Sequence, residues 1–141
     1  MIKDTYMVMS RTPVPSTEYL ADHFDGEGCI TLSTKGALEL NMSHTYLPVL
    51  EQYQRRFGGS ICRQNNRPEG NKPIWRWKLV SQQAARALET LRPFLQEKAV
   101  QAWLGLEFMA QRTAGMGHPP SDEERALRNG YYLALQIAKR A

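Results

Sequence analysis

Two stretches of this sequence alternate apolar and polar side chains residue by residue, and each follows a segment with helical spacing. From Cys29 to Thr34, Ile30 and Leu32 oppose Thr31 and Ser33. After a turn at Lys35-Gly36, Leu38, Leu40 and Met42 oppose Glu39, Asn41 and Ser43. A period of two puts all the apolar groups on one face, so this hairpin must lay that face on a core and leave the other open. The second alternation runs over 60–66 and 74–80, joined by the turn-rich Arg67-Pro-Glu-Gly-Asn-Lys-Pro73. Trp75, Trp77 and Leu79 share one side of its return arm, and Ile74, Arg76 and Lys78 the other. Two such hairpins among helical segments make this an α+β chain, each hairpin with one apolar face for a core and one open polar face.

Helix signals fill the intervals. Residues 1–15 have no sustained period and read as an arm. Ser16 or Thr17 is an N-cap for a helix to about Asp25, with Glu18 suiting its dipole. Leu47, Leu50, Tyr53 and Phe57 mark a helix that Gly58-Gly59 ends. Ser81 is expected to cap a helix through Leu91, and Pro93 to begin another over 94–111. Residues 113–120 form a linker, and the capping box Ser121-Asp-Glu-Glu124 opens a last helix to about Lys139. The order is α-β-β-α-β-β-α over residues 16–112, plus an extra C-terminal helix within 113–141. Trp75, Trp77 and Trp103 read as core by their apolar spacing.

Lys and Arg outnumber Asp and Glu by 18 to 14, with a pI near 9.2, which favours a polyanionic partner. Cys29 and Cys62 have no partner at zinc or redox spacing, so an intracellular, reducing environment is expected. No run approaches the ~20 apolar residues that a membrane span needs, so no membrane partner is expected.

Within the first helix, Glu27 stands between Gly26 and Gly28. Glycines beside a carboxylate let a second backbone or a phosphate come close without a Cβ in the way. The stretch Leu20-Ala-Asp-His-Phe-Asp-Gly-Glu-Gly28 resembles the nine-residue signature of the LAGLIDADG homing endonucleases. The element order over residues 16–112 is similar to that family's. So are Phe57-Gly-Gly59 before the third strand and the run Leu91-Arg-Pro-Phe-Leu-Gln-Glu-Lys98.

The resemblance implies a site-specific DNA endonuclease that hydrolyses both strands of a long pseudo-palindromic duplex target with a divalent metal, Mg2+. Glu27, at the eighth motif position, is then the metal ligand and a catalytic residue. Lys98 matches the family's lysine near the scissile phosphate. A polar residue near the end of the second strand completes the set: His44, with Ser43 or Asn41 as alternatives. One motif per chain implies a homodimer packed through the motif helix, with Ala21, Asp22, Asp25 and Gly26 at the interface. Asp22 departs from the family's small residue at the third position. The resemblance also implies one four-stranded antiparallel, saddle-like sheet, whose open face lies on double-stranded DNA through Thr31, Ser33, Lys35, Glu39, Asn41, Arg63, Asn65, Arg76 and Lys78, while Arg67 and Lys72 hold phosphates. Asp25 reads more simply as a helix-end hydrogen-bonding residue than as a second metal ligand. The competing function keeps the fold without the chemistry, as a nucleic-acid-binding splicing helper or regulator.

Overall fold

Ser16 opens the first helix, α1 (Thr17–Glu27), by accepting the Tyr19 amide on its hydroxyl at 3.1 Å, which satisfies one of the helix's orphan donors. The structure, a computed structural model, describes residues 15–33, 35–64, 72–112 and 119–140. The expected arm up to residue 14, the loop 65–71 and linker residues 113–118 lie outside the described residues.

Strands β1 (Cys29–Leu32) and β2 (Leu38–His44) form the first hairpin. Its turn is held by the Ser33 amide on the Ala37 carbonyl and the Ala37 amide on Ser33 Oγ. Helix α2 (Leu47–Phe57) follows, then β3 (Ser60–Gln64) and β4 (Ile74–Val80). All pairings are antiparallel and the sheet order is β1-β2-β4-β3, so the two hairpins join through their second strands. Gly58 and Gly59, at φ 85° and 95°, turn the chain from α2 into β3. A Cβ on Gly59 would lie 2.5 Å from the Lys78 carbonyl, so the hairpin closes only over a glycine there.

Ile30, Leu32, Leu38, Leu40, Met42, Trp77 and Leu79 cover the inner sheet face and are buried. They meet Leu20 and Phe24 of α1, Leu50 and Tyr53 of α2, and the buried side of α3 (Ser81–Leu91). Tyr53 stacks near Trp77, with centroids 5.1 Å apart, and its hydroxyl donates to the Leu20 carbonyl at 2.7 Å. Burial pushes its phenol well above the usual range, the charges of Tyr19 and Glu27 adding to this.

Three expectations change here. Ser81 does not cap α3 with its side chain; it enters with φ 55° because β4 passes into the helix with no intervening loop. The next helix, α4 (Ala99–Gln111), begins five residues later than Phe94, after a 3-10 turn at Arg92–Phe94. The delay arises because the amides of 96–98 turn towards Asp25 instead of entering a helix. Trp103 is 47% exposed, since α4 buries the stripe containing Ala102, Gly105 and Phe108 and leaves position 103 off it.

Helix α5 (Asp122–Arg140) is capped by Ser121, whose Oγ accepts the Glu124 amide at 3.0 Å, while the Glu124 carboxylate accepts Arg128 Nε at 2.9 Å. Leu135 is fully buried, Tyr131 meets Phe108 edge-on, and Arg128 packs over Gly36 of the β1–β2 turn. Arg112 binds the Gly36 carbonyl at 2.8 Å, so the hairpin tip is braced from two helices. Among the described residues, no helix is long and apolar enough to cross a membrane.

Candidate active site

Glu27 is the last residue of α1, and its side chain is 53% exposed. One turn back on the same helix, His23 Nε2 lies 2.6 Å from Glu27 Oε2. His44, the last residue of β2, brings its Nε2 to 3.7 Å from that same oxygen, beyond hydrogen-bond length but facing it. His44 pairs with Trp75 across the sheet, so it sits on the inner face, where the sheet meets the end of α1. Its Nδ1 accepts the Tyr46 amide at 2.9 Å. A neutral imidazole with Nδ1 accepting carries its proton on Nε2, so His44 presents an N–H to the carboxylate rather than a lone pair. The three ligand-type atoms lie within 4.8 Å of one another.

The two glycines beside Glu27 play different parts. A Cβ on Gly28 would lie 2.2 Å from the Phe24 ring, so Gly28 lets the chain leave α1 tightly against the core. At Gly26 a Cβ would meet nothing within 4 Å, and Asp22, one turn earlier, is likewise exposed. Asp22 and Gly26 thus share the free side of α1.

Ala21 and Asp25, expected on that free side too, are turned inward instead. Ala21 has no exposed surface, because its helix phase is that of Leu20 and Phe24. Asp25 is buried against the segment after the 3-10 turn. Its Oδ2 accepts the Gln96 and Glu97 amides at 3.0 and 2.9 Å, and its Oδ1 the Lys98 amide at 2.8 Å. Burial pushes this carboxyl's pKa up, but the amides of Glu97, Lys98 and Gln96 and the Lys98 charge together outweigh it and hold it below the usual value. The helix-end role read for Asp25 matches these bonds.

Lys98 follows from the same knot. Its Nζ donates to the Asp25 carbonyl at 2.7 Å, near the C-terminal end of α1, where a cation suits the helix dipole. The ammonium is therefore tied to a backbone atom two residues from Glu27. Among the described residues the other two of its three N–H donors meet no acceptor.

The outer sheet face is built from residues that pair directly, since opposite residues share a face. Cys29 pairs with Asn41, Thr31 with Glu39, Asn41 with Lys78, Ser43 with Arg76, and Cys62 with Arg76 on the other side. Glu39 accepts Asn41 Nδ2 at 2.9 Å and lies 3.6 Å from Lys78 Nζ, while Arg76 Nε reaches Ser43 Oγ at 3.4 Å. Ser33 and Lys35 occupy the β1–β2 turn, and Lys72 is exposed just before β4. Arg63 is a correction: it pairs with Trp75 and so shares the inner face with His44, two strand spacings away, about 10 Å. Ile61, opposite the buried Trp77, sets this phase, and the outer positions of β3 are Ser60, Cys62 and Gln64. Asn65 and Arg67 lie outside the described residues.

His23 was absent from the residues expected at the site. Its signal was the four-residue spacing to Glu27, which places the two on one helix face.

No family model matches the chain, and no curated protein matches it. Solved structures match by shape. The homing endonuclease I-CvuI, in complex with its target, aligns at TM-score 0.61 and 18% identity over 87% of this chain and 79% of that one. The archaeal intron-encoded homing endonuclease I-Vdi141I, complexed with DNA, aligns at 0.52 and 13% over 83% and 96%. The LAGLIDADG homing endonuclease I-SmaMI, bound to cleaved DNA, aligns at 0.54 and 11% over 92% of this chain but 44% of its own. At identities this low, the match in shape establishes a shared fold alone.

Proposed function

We propose that this chain, which has the fold of the LAGLIDADG homing endonucleases, is a site-specific DNA endonuclease that works as a homodimer on a pseudo-palindromic duplex. The observation that carries the proposal is the convergence of Glu27, His44 and Lys98 at one end of α1, beside a sheet whose outer face is polar and cationic. A carboxylate with one oxygen uncommitted among the described residues suits a hard divalent cation whose other ligands are water and phosphate oxygen, Mg2+ in this reading. When bound, that cation neutralises phosphate charge and lowers the pKa of an attacking water.

The chain's own groups then have distinct work. Glu27 holds the cation, the Nε2–H of His44 is a donor to a phosphate oxygen or to the attacking water, and the Lys98 ammonium balances charge that grows on the phosphate. Arg76, Lys78, Asn41 and Thr31, on the outer sheet face, are the base-edge readers in this proposal, since a β-ribbon fits the major groove. Lys72 and Lys35, at the sheet's ends, are phosphate contacts. Cutting both strands requires two such sites, and the free side of α1 at Asp22 and Gly26 is where a second copy packs.

The test is incubation with a large pool of randomised duplexes and Mg2+, followed by recovery of cut molecules. Cleavage of a defined sequence is expected. Glu27→Gln should bind that sequence with affinity near wild type and cut it at least 1,000-fold more slowly, on the order of 4 kcal/mol in transition-state energy. A protein that binds one sequence tightly and cuts none is a nucleic-acid-binding module instead.

A further inference from the structure

We propose that His23 is the positioning residue of this site: its Nε2–H holds Oε2 of Glu27 and leaves Oε1 to face the cation. The identity of what Glu27 holds rests on the endonuclease reading; the hydrogen bond stands apart from it.

Glu27 ends its helix with a half-exposed side chain, which by itself samples several rotamers. Ordering a free Glu costs about 1.5–2 kcal/mol, so an unsupported carboxylate is a poor pre-formed ligand. His23 removes that freedom. Helical side chains lean towards the N-terminus, so a residue four positions on comes back over the one before it. The 2.6 Å contact is the result.

The imidazole is itself fixed. Its centroid lies 6.4 Å from the Tyr19 ring, 6.2 Å from Tyr53 and 5.8 Å from His44, the last edge-on, and its side chain is only 20% exposed. Nδ1 is buried and meets no hydrogen-bond partner among the described residues. A proton there would be an unpaired buried donor while Nε2 pointed a lone pair at a carboxylate. With the proton on Nε2, the ring makes a charge-assisted bond and leaves only a lone pair unmet.

The same reasoning decides between donor and metal ligand. Two imidazoles and a carboxylate this close would otherwise suit a borderline transition metal. His44, however, has its Nδ1 taken by the Tyr46 amide and its Nε2 protonated. Both histidines therefore offer N–H groups towards one oxygen, and the cation meets oxygen only. This is the arrangement in which an outer partner orients a ligating carboxylate.

The experiment uses two substitutions in the full chain. His23→Phe keeps a ring against Tyr53 and His44 and removes the donor; His23→Gln keeps a donor at similar reach. Mn2+ binding to the complex with target duplex is titrated by its paramagnetic resonance signal, alongside 15N spectra of the imidazoles in the free protein. Expected are an Nε2–H tautomer at His23, a resonance that moves in Glu27→Gln, Mn2+ half-saturation raised about 10- to 100-fold in His23→Phe, and near-wild-type half-saturation in His23→Gln. DNA affinity in chelator should be unchanged in both. Equal Mn2+ titration in wild type and His23→Phe, or equal impairment of the two variants, overturns the role. Tight Zn2+ or Ni2+ binding without DNA that His23→Gln abolishes makes the histidine a ligand and also overturns it. A wild type that holds no Mn2+ on DNA overturns the endonuclease reading and this role with it.

Discussion

Asp25→Asn would remove one charge and one acceptor oxygen from a carboxylate that ties α1 to a segment 71 to 73 residues further along the chain. With its amide oxygen at the Oδ2 position, Asn keeps the Gln96 and Glu97 amides but turns an NH2 on the Lys98 amide, donor against donor. The opposite flip loses two bonds rather than one. Hydrogen bonds to an ionised partner contribute about 1.5–3 kcal/mol and neutral ones about 0.5–1.5, so two weakened bonds and one lost amount to roughly 3 kcal/mol. That is a large share of the ~5–15 kcal/mol available to a domain.

Urea unfolding at pH 7 is the assay, with the slope unchanged and the midpoint lower by about 1 to 3 M. The pH dependence gives a second reading. Asp25 binds its proton less tightly when folded than when unfolded, so its contribution is present above the unfolded carboxyl value near ~3.9 and is lost as pH falls through the lower folded one. The gap between wild type and variant should be full at neutral pH and close in the acid range below about 4, where the wild-type carboxyl becomes neutral as well. A gap under about 0.5 kcal/mol at pH 7, which is the scale of an ordinary surface change, would refute the reasoning. So would a gap that widens on acidification.

Arg76→Ala should cost about 1–3 kcal/mol at one base pair of each half-site and relax preference there, while Lys72→Ala should weaken all targets alike and reduce the salt slope by about 1; competition binding across single-base variants separates the two. Leu135→Ala should lower unfolding stability by about 2–5 kcal/mol, because this side chain of α5 is fully buried; a loss below about 1 kcal/mol by chemical denaturation would place α5 outside the core. Asp22→Ala should tighten self-association at low salt, since it removes two like charges from a shared helix face, and sedimentation at 20 mM and at 500 mM salt should show the gain shrinking as the charges are screened, with a Debye length near ~3 Å at 1 M. Looser association in the variant would mean that Asp22 has a partner across the interface.

The outer face of β1, β2 and β4 was legible because Ile30, Leu32, Leu38, Leu40, Met42, Trp77 and Leu79 mark the inner one without a break. In β3 a single apolar residue, Ile61, carries the phase, and its effect depends on which residue of β4 it meets; Arg63 was misplaced for that reason. Trp103 misled because apolar character alone does not say which stripe of a helix faces the core. Glu27 and Lys98 stood out by motif, but that Lys98 is tied through its amide and its ammonium to Asp25 has no local signature, since the partners are 73 residues apart. The spacing of His23 to Glu27 was visible, yet its meaning waits on where Tyr53 and His44 close around the ring.

The sequence by itself determined the order of the elements and the inner faces of β1, β2 and β4, because periodicity and glycine stops act over a few residues and need no partner. It also singled out the carboxylate between two glycines. Only the tertiary structure decided strand phase in β3, the inward turn of Ala21 and Asp25, and the convergence of His23, Glu27 and His44 at the end of α1. Those depend on register and on backbone amides that distant segments bring together, and packing settles them only when the whole chain has closed.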